Sequence, residues 1–164
     1  MNPSSANPTG ELQGLLVLVA SLSHGLENVL GRGAPPITFR AGRTIGLKAK
    51  VSKTTTDPIE ALTLVRQELD ATGIHWPFEI WNPSGQSDPV YTNANGKRAL
   101  KLVFRHCMVR CALFRYSHEQ KQSLCMMNHG LFCGYLQNIL GKKADLDILH
   151  AGESACLKEL VIHD

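Results

Sequence analysis

All five cysteines of this 164-residue chain fall between Cys107 and Cys156, and the preceding 106 residues hold none. Thiolates are soft, charged donors. Three or four of them replace a metal's water shell, and one beside a base is a nucleophile. Cys125, His129 and Cys133 stand at i, i+4 and i+8, so on a helix they share one face. Cys107 and Cys111 lie four residues apart, and Cys156 opens the last apolar run. A strand end, a helix face and a turn can converge on one point, which makes Cys107, Cys125 and Cys156 candidate metal ligands. The spacing is not that of a CxxC pair. The competing reading is packing, because free cysteine is a small, often buried hydrophobe. For Cys133, flanked by Phe132 and Leu136, packing is the better reading. His129 is either a ligand or a packed core residue, and His150 is a candidate ligand shortly before Cys156. His24, His75, His118 and His163 stand alone and read as surface or capping residues. For thiol catalysis the available bases are His106 beside Cys107, and His129 near Cys125.

The elements that must position these groups follow from periodicity. Met1–Gly10 is rich in Asn, Pro and Ser and is expected to be disordered. Leu12, Leu15, Leu16, Val19, Leu22, Leu26, Val29 and Leu30 recur at helical spacing, predicting a helix over Glu11–Leu30. Gly31 and the Pro35-Pro36 pair should stop it. Ile37–Phe39 reads as a short strand or extended link, and Ala41–Val51 as a weaker helix. Asp57-Pro58 starts a helix through Leu69, which Gly73 stops. Trp76–Trp81 alternates as a strand, with Pro77 placing it at an edge. Asn82–Gly96 is a loop or long hairpin connection. Leu100–Cys107 is a strand with Leu102, Phe104 and His106 on one face. Ser117–Leu140 is mostly helical and closed by Gly141, and strands at Asp145–Leu149 and Leu157–Ile162 flank a turn at Gly152. Helices first, then strands around one long helix, define an α+β class rather than a βαβ alternation. No internal repeat or second domain is visible.

Composition narrows the function. Apolar residues make up 43% of the chain, enough for one hydrophobic core, and the net charge of +3 is too weak a bias to suggest nucleic acid. The longest apolar run, Leu15–Leu22, is shorter than a membrane span, and no Lys or Arg precedes Arg32 as in a signal peptide. The expectation is therefore a cytoplasmic protein without a membrane span, whose cysteines are thiols or ligands. No P-loop, GxGxxG or Ser/His/Asp pattern stands out.

At this point the residues resemble a known family. C-x3-H-G-x3-G-Y-L from Cys125, Gly141 ending the helix and G-E-S-A-C from Gly152 to Cys156 resemble the 4-vinyl reductase domain. NVLGRGAPPITFRAGRTIG also looks like that family's N-terminal region, so the resemblance spans residues 11–162. It implies a fold shared with vesicle-trafficking complex subunits: N-terminal helices packed on a small antiparallel sheet, with one long helix in the C-terminal half. It also implies dimerisation, a pocket for a small hydrophobic or tetrapyrrole-like molecule and a metal bound by Cys and an acidic residue. Carried over by position, Cys125 and Cys156 match the family's first and last ligand cysteines. Between them the pattern departs. The expected acidic residue and Cys are replaced by Asp145 and Ile148 or, with a small gap, by Asp147 and His150. Cys107 and Cys111 are additional thiols, with Cys111 favoured as a fourth ligand and His150 or Asp147 as its alternative. This shift toward thiolates puts an iron–sulfur cluster ahead of zinc.

The sequence thus predicts a single domain over 11–164. It would be a metal-containing small-molecule-binding or redox-sensing module that acts through a protein partner. Trp76, Phe78, Phe104, Phe114 and Phe132 are the candidate pocket lining, between the N-terminal helices and the sheet, although any one of them could simply be core. Two alternatives stay open. One is an enzyme, either a reductase type of tetrapyrrole metabolism or a cysteine-dependent hydrolase. The other is a dimeric assembly factor.

Overall fold

The computed structural model describes residues 8–83, 85, 87–107, 109, 121–152 and 154–163, with side chains from residue 13 onward. Cys111, Phe114, His118 and the first residues of the predicted Ser117–Leu140 helix lie outside the described residues. In chain order the elements are α1 (Pro8–Leu30), a 3-10 turn (Gly31–Gly33), α2 (Ala34–Lys48) and α3 (Pro58–Ala71). They continue with β1 (Phe78–Ile80), β2 (Tyr91–Thr92), β3 (Arg98–Arg105), α4 (Ser123–Leu140), β4 (Ala144–Ala151) and β5 (Ala155–Ile162).

The sheet is antiparallel throughout, in the order β1-β3-β5-β4, with β2 also paired to β3. β1 is an edge strand, as Pro77 requires. Phe78 pairs with Phe104, which in turn pairs with Cys156; Leu102 pairs with Lys158, which also pairs with Ile148. Directly paired side chains share a face. One face therefore carries Phe78, Ile80, Leu100, Leu102, Phe104, Leu146, Ile148, Cys156, Lys158, Leu160 and Ile162. α3 and α4 cover this face through Leu62, Val65, Leu69, Phe132, Leu136 and Ile139. The class is α+β.

Local chemistry explains most boundaries. The Asp57 carboxylate accepts the Ile59 N–H at 2.8 Å and caps α3. Gly141, at φ +73°, closes α4. Gly31, at φ +52°, ends α1 as expected. The Pro35-Pro36 pair behaves differently from the sequence reading. It lies in the first turn of α2, where a missing N–H costs nothing, so it starts a helix instead of ending one. Ile37–Phe39 is consequently helical and not extended. α1 begins at Pro8, so the last three residues of the expected disordered stretch are also helical.

α2 lies on the outer side of α4 at unusually short range. A Cβ at Gly42 or Gly46 would overlap the backbone of Met127 or Leu131, and one at Gly130 or Gly134 would overlap that of Phe39 or Arg43. The two helices therefore meet backbone to backbone through paired G-x-x-x-G steps. Polar contacts fix the register: Arg43 donates to the Gln137 amide oxygen, and the Asn138 side chain donates to the Ala49 carbonyl at 2.8 Å. α1 and the free side of α2 are largely uncovered, with Leu15, Leu18, Leu22 (61% exposed), Val29 (82%), Ile37 and Ile45 open to solvent. By length and composition alone, the helical stretch Gln13–Lys48 is long and apolar enough to cross a membrane, and 11% of its most apolar part is buried.

Candidate functional site

The sheet and α4 diverge at one end and leave a cavity. Its walls are Trp76, Cys107, Val109, Cys125, Asn128, His129, Ile148, Ala151, Cys156 and Lys158. Counting space open to solvent it encloses about 410 Å³, of which about 20 Å³ admits the centre of a water molecule. The enclosed part of this space holds about one water.

Each wall residue has a structural reason to be there. Cys156 and Lys158 alternate on β5 toward α4. Cys107 follows His106, whose positive φ of 49° turns the chain at the end of β3. Cys125, Asn128 and His129 lie on the face of α4 that looks at the sheet. The three cysteines singled out by the sequence are therefore brought to one place, with His129 beside them. Cys133 lies deeper, fully buried in the core. His150 and Asp147 pair with Leu157 and Glu159, on the opposite side of the sheet from Cys156 and Lys158. Of the expected aromatic lining, only Trp76 reaches the cavity among the described residues. Phe104 and Phe132 pack against Trp76, and Phe78, Phe104 and Phe132 pack against one another, with ring centroids 4.8–6.1 Å apart, as part of the core.

The electrostatics are set by burial. Burial pushes the Cys107 and Cys125 thiols up, against the partial opposition of the Lys158 charge. Burial, then the Lys158 charge, pushes His129 down to about 3, with only the Leu146 backbone acting the other way. At neutral pH the imidazole is uncharged and these two thiols stay protonated. Neither His106 with Cys107 nor His129 with Cys125 forms a hydrogen bond among the described residues. A cysteine nucleophile needs a lowered thiol pKa and an adjacent base, and this geometry supplies neither.

Lys158 was not anticipated. It is 2% exposed, near the middle of the sheet, with its Nζ 4.1 Å from the Phe104 ring centroid and 4.8 Å from that of Trp76. Burial pushes its amine down, and the neighbouring thiols oppose this. The cavity also holds buried polar atoms without hydrogen-bond partners of good geometry: Trp76 Nε1, Asn128 Nδ2 and both ring nitrogens of His129.

The described residues do not by themselves fit a metal centre. No three of their His, Cys, Asp and Glu side chains are gathered closely enough to hold an ion, and Lys158 sets a cationic group beside the thiols. Cys111, the favoured fourth ligand, lies outside them.

The α+β fold is similar to that of domains of known structure. One such match is the phenol-responsive sensory domain of the transcription activator PoxR, in its crystal structure with phenol. The TM-score is 0.59 at 15% identity, over 90% of this chain and 73% of that one. No family model matches the chain, and no curated protein matches it.

Proposed function

We propose that this chain is a small-molecule-binding sensory module that works in the cytoplasm and signals through a protein partner. The observation that carries this reading is the cavity beneath α4, where apolar walls surround buried polar atoms that lack a well-formed hydrogen bond among the described residues. A bound molecule would satisfy them. The fold likeness to a phenol-responsive domain supports the reading, as does the 4-vinyl reductase resemblance of residues 11–162. The raised thiols weigh against the hydrolase alternative. The test is titration of the purified chain with small aromatics, phenol and indole among them, followed by tryptophan fluorescence. Ala151→Leu should fill the cavity and weaken binding by about tenfold or more without removing a polar group. Absence of binding by any of them at millimolar concentration would count against the module.

A second reading rests on the convergence of Cys107, Cys125 and Cys156 alone. With Cys111 as the fourth ligand, they would hold an iron–sulfur cluster or zinc. Its test is metal content after anaerobic purification, in the wild type and in Cys125→Ser and Cys156→Ser. Stoichiometric iron or zinc lost in both variants supports it, and no metal in the wild type removes it.

A further inference from the structure

We propose that the cavity selects a small apolar molecule bearing one acidic oxygen group, a carboxylate or an ionised aromatic hydroxyl, and that this group pairs with Lys158. The inference rests on the small-molecule-binding reading and narrows its ligand class. Its basis is the sign and kind of the groups that face the cavity. Lys158 has no carboxylate partner among the described residues, and its Nζ is held over the Phe104 and Trp76 rings. Among the described residues Asn128 Nδ2 is a donor without an acceptor, Trp76 Nε1 has at most the weak Cys107 sulfur as acceptor, and a neutral imidazole at His129 brings one N–H and one acceptor nitrogen. Cys107, Cys125 and Cys156, the remaining polar groups, are weak S–H donors when protonated.

Donors around an amine therefore predominate in the cavity, and none of its described wall residues supplies a negative charge. A buried ammonium without a counter-charge is costly, and the two aromatic faces offset only part of that cost. An acid resolves the imbalance whichever form the amine starts from. An anion pairs with the ammonium already present, whereas a neutral acid gives its proton to the free amine and leaves the same ion pair. The oxygens then accept from Lys158 and from the Trp76 and Asn128 N–H groups. Val109, Ile148 and Ala151 line the apolar side of the cavity, which must widen beyond its room for about one water to take the rest of the molecule. A neutral ligand of equal shape would leave the lysine uncompensated.

The experiment compares benzoate with its neutral isostere benzamide. Each is titrated into the full chain near neutral pH, and binding is followed by calorimetry. Benzoate should bind about tenfold or more tightly than benzamide, the discrimination expected when a buried charged group is left unpaired by the wrong ligand. Lys158→Met should abolish the preference, with benzamide then binding at least as well as benzoate. Equal affinity of the two in the wild type, or a preference that survives in Lys158→Met, overturns the proposal while leaving the binding module standing. If neither compound binds, and phenol and indole also fail, the proposal and the module fall together. The wild-type comparison needs no variant, so it stands even if Lys158→Met does not fold.

Discussion

At the scale of single residues, two buried groups set the molecule's response to its surroundings. His129 is held neutral, with a folded-state pKa of about 3 against an ordinary 6.5. Between these values the unfolded chain binds the proton and the native protein does not, so stability is full above the ordinary value and is lost as pH falls. Urea unfolding should show a loss of about 2 kcal/mol from His129 between about pH 7 and pH 5. His129→Gln should remove that part of the slope, and a variant with an unchanged profile would contradict the buried neutral imidazole. Lys158 has the opposite character, a charge-bearing group where a sheet wants a hydrophobe. Lys158→Met should raise stability near neutral pH by about 1–3 kcal/mol, read from the urea midpoint. A large loss instead would mean that the lysine has a partner that stabilises it. The sequence could not show which way Lys158 faces. On β5, Leu157, Glu159 and Val161 alternate with Lys158, Leu160 and Ile162, so each face carries one charge and two hydrophobes. Only pairing to Leu102 and Ile148 resolves the tie. The cysteines were legible because their clustering is compositional. The poorly satisfied Trp76 and Asn128 donors were not, because a hydrogen bond's quality depends on neighbours distant in sequence.

At the scale of elements, the α2–α4 crossing is the tightest joint in the fold. Gly130→Ala or Gly42→Ala places a methyl group against a carbonyl that belongs to the partner helix's own hydrogen-bonded ladder, which cannot swing aside. Each should cost roughly 2 kcal/mol or more. Gly14→Ala on α1, with nothing within 4 Å, should be neutral or gain up to about 1 kcal/mol through helix propensity. Denaturation of the three variants side by side checks the contrast, and equal effects would remove the close approach. Gly130 and Gly134 were visible in the sequence as the glycines of the C-x3-H-G-x3-G-Y-L motif, but the helix they meet was not. α2 itself was underread because Gly42 and Gly46 lower helix propensity and Pro35-Pro36 can end one helix or begin another. Helices and strands with a strong cap or a clear alternation, such as α3 and β3, emerged where the sequence placed them.

At the scale of the whole molecule, the main feature is what lies uncovered. Leu15, Leu18, Leu22, Leu26 and Val29 leave much of α1 apolar toward solvent, and Ile37 and Ile45 leave similar positions open on α2. Exposed patches of this kind mark interaction surfaces. We expect a second copy of the chain to cover them. Light scattering at micromolar concentration should give a dimer, and Leu18→Glu with Leu22→Glu should give a monomer with the same urea midpoint when extrapolated to low concentration. A wild-type monomer that partitions onto lipid vesicles would assign the face to a membrane instead. The G-x-x-x-G joint gives this surface a mechanical relation to the cavity. α4 presents Cys125, Asn128 and His129 to the cavity on one side and Gly130 and Gly134 to α2 on the other. Between most packed helices, side chains act as a cushion, and a rotamer change absorbs a small displacement before it travels further. Here there is no cushion. Two hydrogen-bonded backbones touch directly, so a sideways push on α4 moves α2 with it, as one gear tooth drives the next without slack.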